Sequence, residues 1–320
     1  MGEPSTAILN RPGIATTLKR WALATRPAFL SASLFPVLAG TAWGYGRSGS
    51  FDLLAFVLAT LATALAHGGV NVLNDVYDEK NGTDRINSER IFPFSGGSRF
   101  IQNNIMNIGQ MARLGWGLLL AALFFGLCLA LLKGWVMLAL GASGVFLGVA
   151  YSAPPLAFSS RGWGELAVGI GFGPLPVMGA VWLQGAEIDT GAIVISVIIG
   201  LWVALILINN EVPDIDADKK VGKKTLAVRL GQKNTAWLYF ALHLLAMALV
   251  GYLVRGEMMK PYALAVLLFL LPASLNAARL IYSSAGDGKP IAVEKMTIAI
   301  KSTLAIQAIG SIWLALFSII

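Results

Sequence analysis

The sequence predicts an all-α membrane protein with nine transmembrane helices. Three observations carry this. Of 320 residues, 56% are hydrophobic and only 13% charged, where soluble domains hold about a quarter charged. The apolar residues gather in nine stretches, each near the roughly 20 residues a helix needs to cross hydrocarbon. The basic residues fall almost wholly on one side of the resulting topology, as the positive-inside rule requires. A mean hydropathy of +0.70 excludes a soluble globular chain. Long apolar runs in place of ten-residue alternating segments exclude a membrane β-barrel.

The first span, 27–45, follows 26 polar and basic residues without a cleavable leader pattern, so it is expected to serve as its own insertion signal. The second, 51–74, runs into a charged stretch. The third and fourth, 110–132 and 134–152, are separated only by Lys133-Gly134 and predict a tight helical hairpin. The fifth, 163–183, contains Gly171-Phe-Gly-Pro174, small residues that let membrane helices approach closely. The sixth to ninth are 190–210, 234–254, 261–282 and 297–319. Two connections stand out by length and polarity, about 75–109 and 211–233, and are the expected functional loops. The whole chain, 1–320, reads as one membrane domain.

Nine spans place the termini on opposite sides. With residues 1–26 cytosolic, only Arg47, Lys133, Arg255 and Lys260 of the 24 lysines and arginines fall outside the cytosolic face. The net charge of +7 is thereby a matter of topology and anionic lipid, not of nucleic acid. The single cysteine, Cys128, excludes an intramolecular disulfide and a cysteine metal cluster, and its apolar setting predicts inert packing.

The second span ends in Asn71-Val-Leu-Asn74-Asp75-Val-Tyr-Asp78, followed by Gly82 and Asp84. Positions 71, 74, 75 and 78 share one helical face, which gathers two amides and two carboxylates at the membrane boundary. An unpaired carboxylate is costly there and marks function. The sixth span ends in parallel fashion: Asn209-Asn210-Glu211-Val-Pro213-Asp214-Ile-Asp-Ala-Asp218, then Lys219, Lys220, Gly222, Lys223 and Lys224. Both segments contain D-x-x-x-G, at Asp78/Gly82 and Asp218/Gly222. Two carboxylate clusters on one side of a membrane suit Mg²⁺, which takes one or two carboxylates and completes its shell with phosphate and water. Together they could clamp a diphosphate, and the loop cations, Arg90, Arg99, Lys220 and Lys223, could offset its charge. Solvated helix-end acids paired with loop lysines are the simpler reading for one segment, but not for two matching ones.

At these residues the chain resembles the UbiA superfamily of intramembrane aromatic prenyltransferases. Asn71-x-x-Asn74-Asp75-x-x-Asp78 matches its first motif and Asp214-x-x-x-Asp218 its second, and the likeness covers the chain from about residue 20 onward. Within the superfamily, Asn74–Asp84, Arg161–Pro174 and Asp214–Gly231 look most like the 1,4-dihydroxy-2-naphthoate polyprenyltransferases of menaquinone synthesis. The chain departs from that branch at Glu211-Val-Pro213, where the branch has Leu-Arg, and at Phe92–Arg99. The resemblance implies a nine-helix bundle around a central cavity in the inner (cytoplasmic) membrane. It also implies a polyprenyl diphosphate and an aromatic acceptor as substrates, with Mg²⁺ on Asp75, Asp78, Asp214 and Asp218, which are also the catalytic set. Asn71, Asn74 and Asn210 would orient metal or diphosphate, and Tyr151 would face the diphosphate. Other branches imply other acceptors: 4-hydroxybenzoate, homogentisate, chlorophyllide or haem.

Several residues keep two readings. His67, one turn before Asn71, lines the pocket or packs as a hydrogen-bonded histidine between helices. His243 reads as structural. Glu165 pairs with a loop cation or helps position the acceptor. Ser95-Gly-Gly-Ser98 is a phosphate-cradling loop or a turn, and it lacks the P-loop pattern. A secondary transporter is the alternative of another class, but its acids would lie near the midplane, whereas these lie at helix ends beside lysines.

Overall fold

The computed structural model describes residues 3–284 and 290–319, so Lys289 of the predicted basic face lies outside it. Among the described residues there are helices and no strands. Eight helices are long and apolar enough to span a membrane, and a bent pair supplies the ninth. We label the spans α1 (Pro27–Ser48), α2 (Leu53–Asn81), α3 (Ile108–Lys133), α4 (Trp135–Ser152), α5 (Gly164–Leu183), α6 (Thr190–Glu211), α7 (Leu226–Arg255), α8 (Pro261–Tyr282) and α9 (Val293–Ile319). A helix at Ile14–Ala24 precedes α1 and meets it at 51°. The corner is Arg26, held at φ 59° between the two.

The boundaries differ from the sequence reading where tertiary contacts extend a helix. The long first loop was expected to begin at residue 75, but α2 continues to Asn81. Val72 and Val76 bury against Phe100, Ile105 and Met111, so the last turns of α2 carry an apolar face opposite their carboxylates. The helix ends only at Gly82, whose φ of 85° suits glycine. In the second loop a short helix, Ile215–Lys220, follows the Asp214 cap, and α7 starts at Leu226 because Thr225 Oγ1 caps it through the Val228 N–H. Gly231 kinks α7. Pro174, which has no N–H to donate, breaks α5 after Gly173.

Helix α6 is the centre of the bundle. Ile195, Ile198, Ile199, Trp202, Leu205 and Ile208 are fully buried along it, and α5, α7 and α9 pack around it. The α5–α6 crossing depends on glycine: a Cβ at Gly200 would come 2.5 Å from the Gly169 carbonyl oxygen. Side-chain polar contacts fasten the end remote from the acidic motifs. Asp52 caps α2 and pairs with Lys133 at 2.7 Å. Asp189 caps α6 while accepting from Trp43 Nε1 and Arg47 Nε.

Gly200→Ala is expected to destabilise the bundle by about 1–3 kcal/mol, the usual cost of overpacking. A lowered unfolding temperature in detergent, beside an unshifted Gly117→Ala control in open space, checks it.

Candidate active site

The four polar residues on the α2 face do different jobs. Asn71 Nδ2 donates to the Thr25 carbonyl at 3.0 Å and ties α2 to the N-terminal helix. Asn74 Nδ2 reaches both Asp78 Oδ2 and Ser152 Oγ of α4, each at 3.2 Å. Asp75 is buried; its Oδ2 accepts from the Ser98 N–H at 3.0 Å, and its Oδ1 has no donor. Asp78 Oδ1 accepts from Lys223 Nζ at 2.7 Å.

Lys223 comes from the second loop, and its Nζ also lies 3.4 Å from Asp218 Oδ1. One ammonium therefore bridges the two acidic segments. Burial alone would lower the Lys223 pKa, but Asp78 and Asp218 outweigh it and raise it. Burial pushes the Asp218 carboxyl up to about 7 against the opposing charge of Lys223. It raises Asp214 as well, with Asn87 and Ser95 as hydrogen-bonding counterweights. Asn87 Nδ2 donates to Asp214 Oδ1 at 2.7 Å, a second link between the loops.

The Ser95–Ser98 segment is a strap across both motifs. Gly96 and Gly97 have φ of 71° and 75°, so successive amides turn toward carboxylates: Gly96 N–H toward Asp214 Oδ2, Ser98 N–H onto Asp75 Oδ2. A Cβ on Gly97 would lie 2.6 Å from Asp84 Oδ2 and 3.0 Å from Asp75 Oδ1.

These groups crown a cavity of about 370 Å³. It runs down α2 from Asp78 to Ala59, about 28 Å at 1.5 Å per residue, nearly the thickness of the hydrocarbon core. Helices α1 to α6 wall it; Leu129, Met137 and Leu183 line its deep end, and Phe29, Phe94 and Phe172 the space below the mouth.

Of the residues proposed from sequence, Asn71, Asn74, Asp78, Tyr151, Asn210, Asp214, Asp218 and Lys223 line this cavity. Asp75 sits behind the strap. Three cations do not face it. Arg90 pairs with Glu3 at 2.7 Å, Arg99 is buried with Nη1 on the Asp84 carbonyl, and Lys220 is exposed at the end of its short helix. Glu165 pairs with no cation among the described residues: its Oε1 accepts from the Leu226 N–H at 2.7 Å. His243 packs edge-to-face on Tyr239, away from the cavity.

Three lining residues escaped the sequence reading. Asp84 is off the 71–78 helical face, and only the Gly82 turn brings it round; burial, then Asp78 and Asp75, raise its pKa well above the carboxylate range. Arg26 enters from the corner before α1 and donates to the Phe94 carbonyl. Glu211 ends α6 and lines the cavity beside the second motif. A Gly four residues after a motif Asp, followed by another Asp, was the available signal for the first.

The residues fit Mg²⁺. The donors are hard oxygens, Asp75 Oδ1 is a buried acceptor without a donor, and the Gly97 cradle leaves room beside it. Among the described residues no three ligands converge to cage a metal alone, which suits an ion that borrows substrate phosphate. Removing the bridge should separate the two effects of Lys223: Lys223→Met is expected to cost the metal-free protein about 3–5 kcal/mol, as breaking a buried pair does. Added Mg²⁺ should restore most of the lost unfolding temperature.

Known proteins resemble this chain over most of its length. A Mycobacterium tuberculosis 1,4-dihydroxy-2-naphthoate octaprenyltransferase is 32% identical over 282 residues, 87% of this chain and 91% of its own. The Bacillus subtilis enzyme of the same name is 32% identical over 241 residues, 74% of each chain. A UbiA homologue from Archaeoglobus fulgidus, solved with GPP and Mg²⁺, shares the fold with a TM-score of 0.64 at 19% identity, over 94% of this chain and 99% of that one. The model of the UbiA prenyltransferase family matches residues 33–299, and with relatives of this identity over most of its length the chain belongs to that family.

Proposed function

We propose that this prenyltransferase moves a polyprenyl group from its diphosphate to 1,4-dihydroxy-2-naphthoate, in an inner membrane with the acidic mouth toward the cytosol. The observation that carries the reading is the meeting of both acidic segments across Lys223 at the head of a deep apolar cavity. The naphthoate acceptor is supported by the Mycobacterium and Bacillus relatives, and the metal and diphosphate by the Archaeoglobus neighbour. The basic side of the topology supports the orientation.

In this reading Asp75, Asp78, Asp214 and Asp218 would hold Mg²⁺, which when bound would supply positive charge to a leaving diphosphate. Lys223 swings from its carboxylate partners to the diphosphate oxygens. The apolar walls keep water from the allylic cation left when the C–O bond breaks. Phe29, Phe94 and Phe172 line the space in which that cation would form. The prenyl tail lies along α2 toward Ala59. The acids cluster at one end of the cavity, which disfavours a translocation path.

Purified protein given Mg²⁺, geranylgeranyl diphosphate and a panel of dihydroxynaphthoate, 4-hydroxybenzoate and homogentisate should yield a prenylated naphthoate by mass. Another preferred acceptor would replace this one; no pyrophosphate release with any would refute the transfer reading. Asp75→Asn and Asp214→Asn are each expected to lose at least about 100-fold in turnover while unfolding at an unchanged temperature; full activity in either would remove that residue from the metal set. Because metal binding needs the Asp218 carboxylate, and that group titrates at about 7, a fall in pH should weaken Mg²⁺. The expected loss is up to about tenfold per pH unit below 7 and little above it, read by titration calorimetry.

A further inference from the structure

His67 lies on α2 two turns deeper than Asp75, about 12 Å below it along the helix axis. Its ring is nearly buried, with 7% exposure, and lines the cavity, which Arg26, Phe29, Asn71, Phe94 and Phe172 also line. Phe172 packs edge-on at 4.7 Å and fixes its plane. Nδ1 is 3.0 Å from Ser33 Oγ. The hydroxyl of Ser33 has one proton, and it is committed: Oγ also lies 3.0 Å from the Leu30 carbonyl oxygen, which can only accept. Both contacts are satisfied together only when Nδ1 carries the ring proton and donates to Ser33. The neutral ring then presents the Nε2 lone pair, and no protein donor among the described residues meets that atom. A hydrogen-bond acceptor of fixed orientation, in an aromatic-lined space below a diphosphate site, has the features of a positioned base.

We propose that His67 Nε2 is the proton acceptor for a hydroxyl of the aromatic acceptor, an assignment that rests on the aromatic acceptor reading above. Once the C1–O pair has departed with diphosphate, the ring carbon bearing the carboxylate bonds to C1 of the allylic cation. The hydroxyl proton passes to Nε2, which leaves a neutral ketone. The carboxylate then leaves as CO₂, its C–C electron pair returns to the ring, and Nε2 gives the proton back to the oxygen. Ser33 is a positioning residue in this step, since it sets the tautomer. The ring and its proton relay bear on attack by the acceptor, not on capture of the diphosphate.

The test uses the full-length protein in detergent with His67→Gln, His67→Ala and Ser33→Ala. The first readout is binding of 1-hydroxy-2-naphthoate against 2-naphthoate, which needs no turnover. Wild type should prefer the hydroxylated ligand by about tenfold, one hydrogen bond's worth. His67→Gln, which keeps an acceptor atom, should retain the preference, and His67→Ala should lose it. The second readout is kinetics with geranylgeranyl diphosphate and 1,4-dihydroxy-2-naphthoate. His67→Gln should lower kcat by about 100-fold or more with KM for the diphosphate unchanged, and Ser33→Ala should lower kcat with a smaller factor. Near-wild-type kcat in His67→Gln, or equal hydroxyl preference in His67→Ala and wild type, would overturn the assignment and leave a packing histidine. If wild type prenylates another hydroxylated acid instead, the naphthoate reading fails while the same two comparisons, made with that acid, still decide His67.

Discussion

The buried ammonium of Lys223 holds together what the chain keeps far apart. Asp78 and Asp218 are 140 residues from each other in sequence and belong to different halves of the bundle, yet both reach one Nζ. Two carboxylates brought together in a poorly solvated crevice repel, and each pays a desolvation cost that only a shared cation offsets. The strap at Ser95–Ser98 and the Asn87–Asp214 bond complete the closure with neutral donors. Electrostatics thus draw the two acidic segments together, with one ammonium standing between the acids.

That assembly rests on a particular division of labour in the helices. The last two turns of α2 are stiff because their apolar side is packed under the first loop, so Asn74 and Asp78 keep their helical spacing at the very edge of the membrane. The second motif is less regular, a capped turn and short helix following α6, and it gains its position from contacts with the first loop. One motif is built on a rod and the other is moulded onto it. Phe29, Phe94 and Phe172 come from three different places in the chain and converge below the mouth only through the bent entry into α1, the strap, and the break in α5.

The spans, the two acidic motifs, their shared side and the family likeness were legible in the sequence, because periodicity, hydropathy and local spacing encode them directly. Asp78, Asp214 and Lys223 could be named for that reason. What was not legible depended on chain reversals. Asp84 needs the left-handed turn at Gly82, Arg26 needs the corner between two helices, and the strap needs two consecutive left-handed glycines. Arg90 and Arg99 looked like phosphate ligands by composition, but the loop turns one toward Glu3 and folds the other beneath Asp84. The extent of α2 was missed because the partners of Val72 and Val76 lie more than twenty residues downstream.

Thr225, the cap of α7, lines the cavity, but among the described residues none of the last three helices themselves reaches it. Helices α7 and α9 pack on α6, α9 also lies along α1, and α8 packs on α7 and α9. This gives the protein two nearly separate territories. Changes at cavity-lining positions belong to α1 through α6 and the two loops, whereas α7 to α9 act on the site only at second hand, through buried contacts such as Asn209 Nδ2 donating to Thr303 Oγ1. Homologues adapted to unlike membranes can thus vary the exposed positions of these helices, such as Trp237 and Phe269, while their buried faces keep α6 in place.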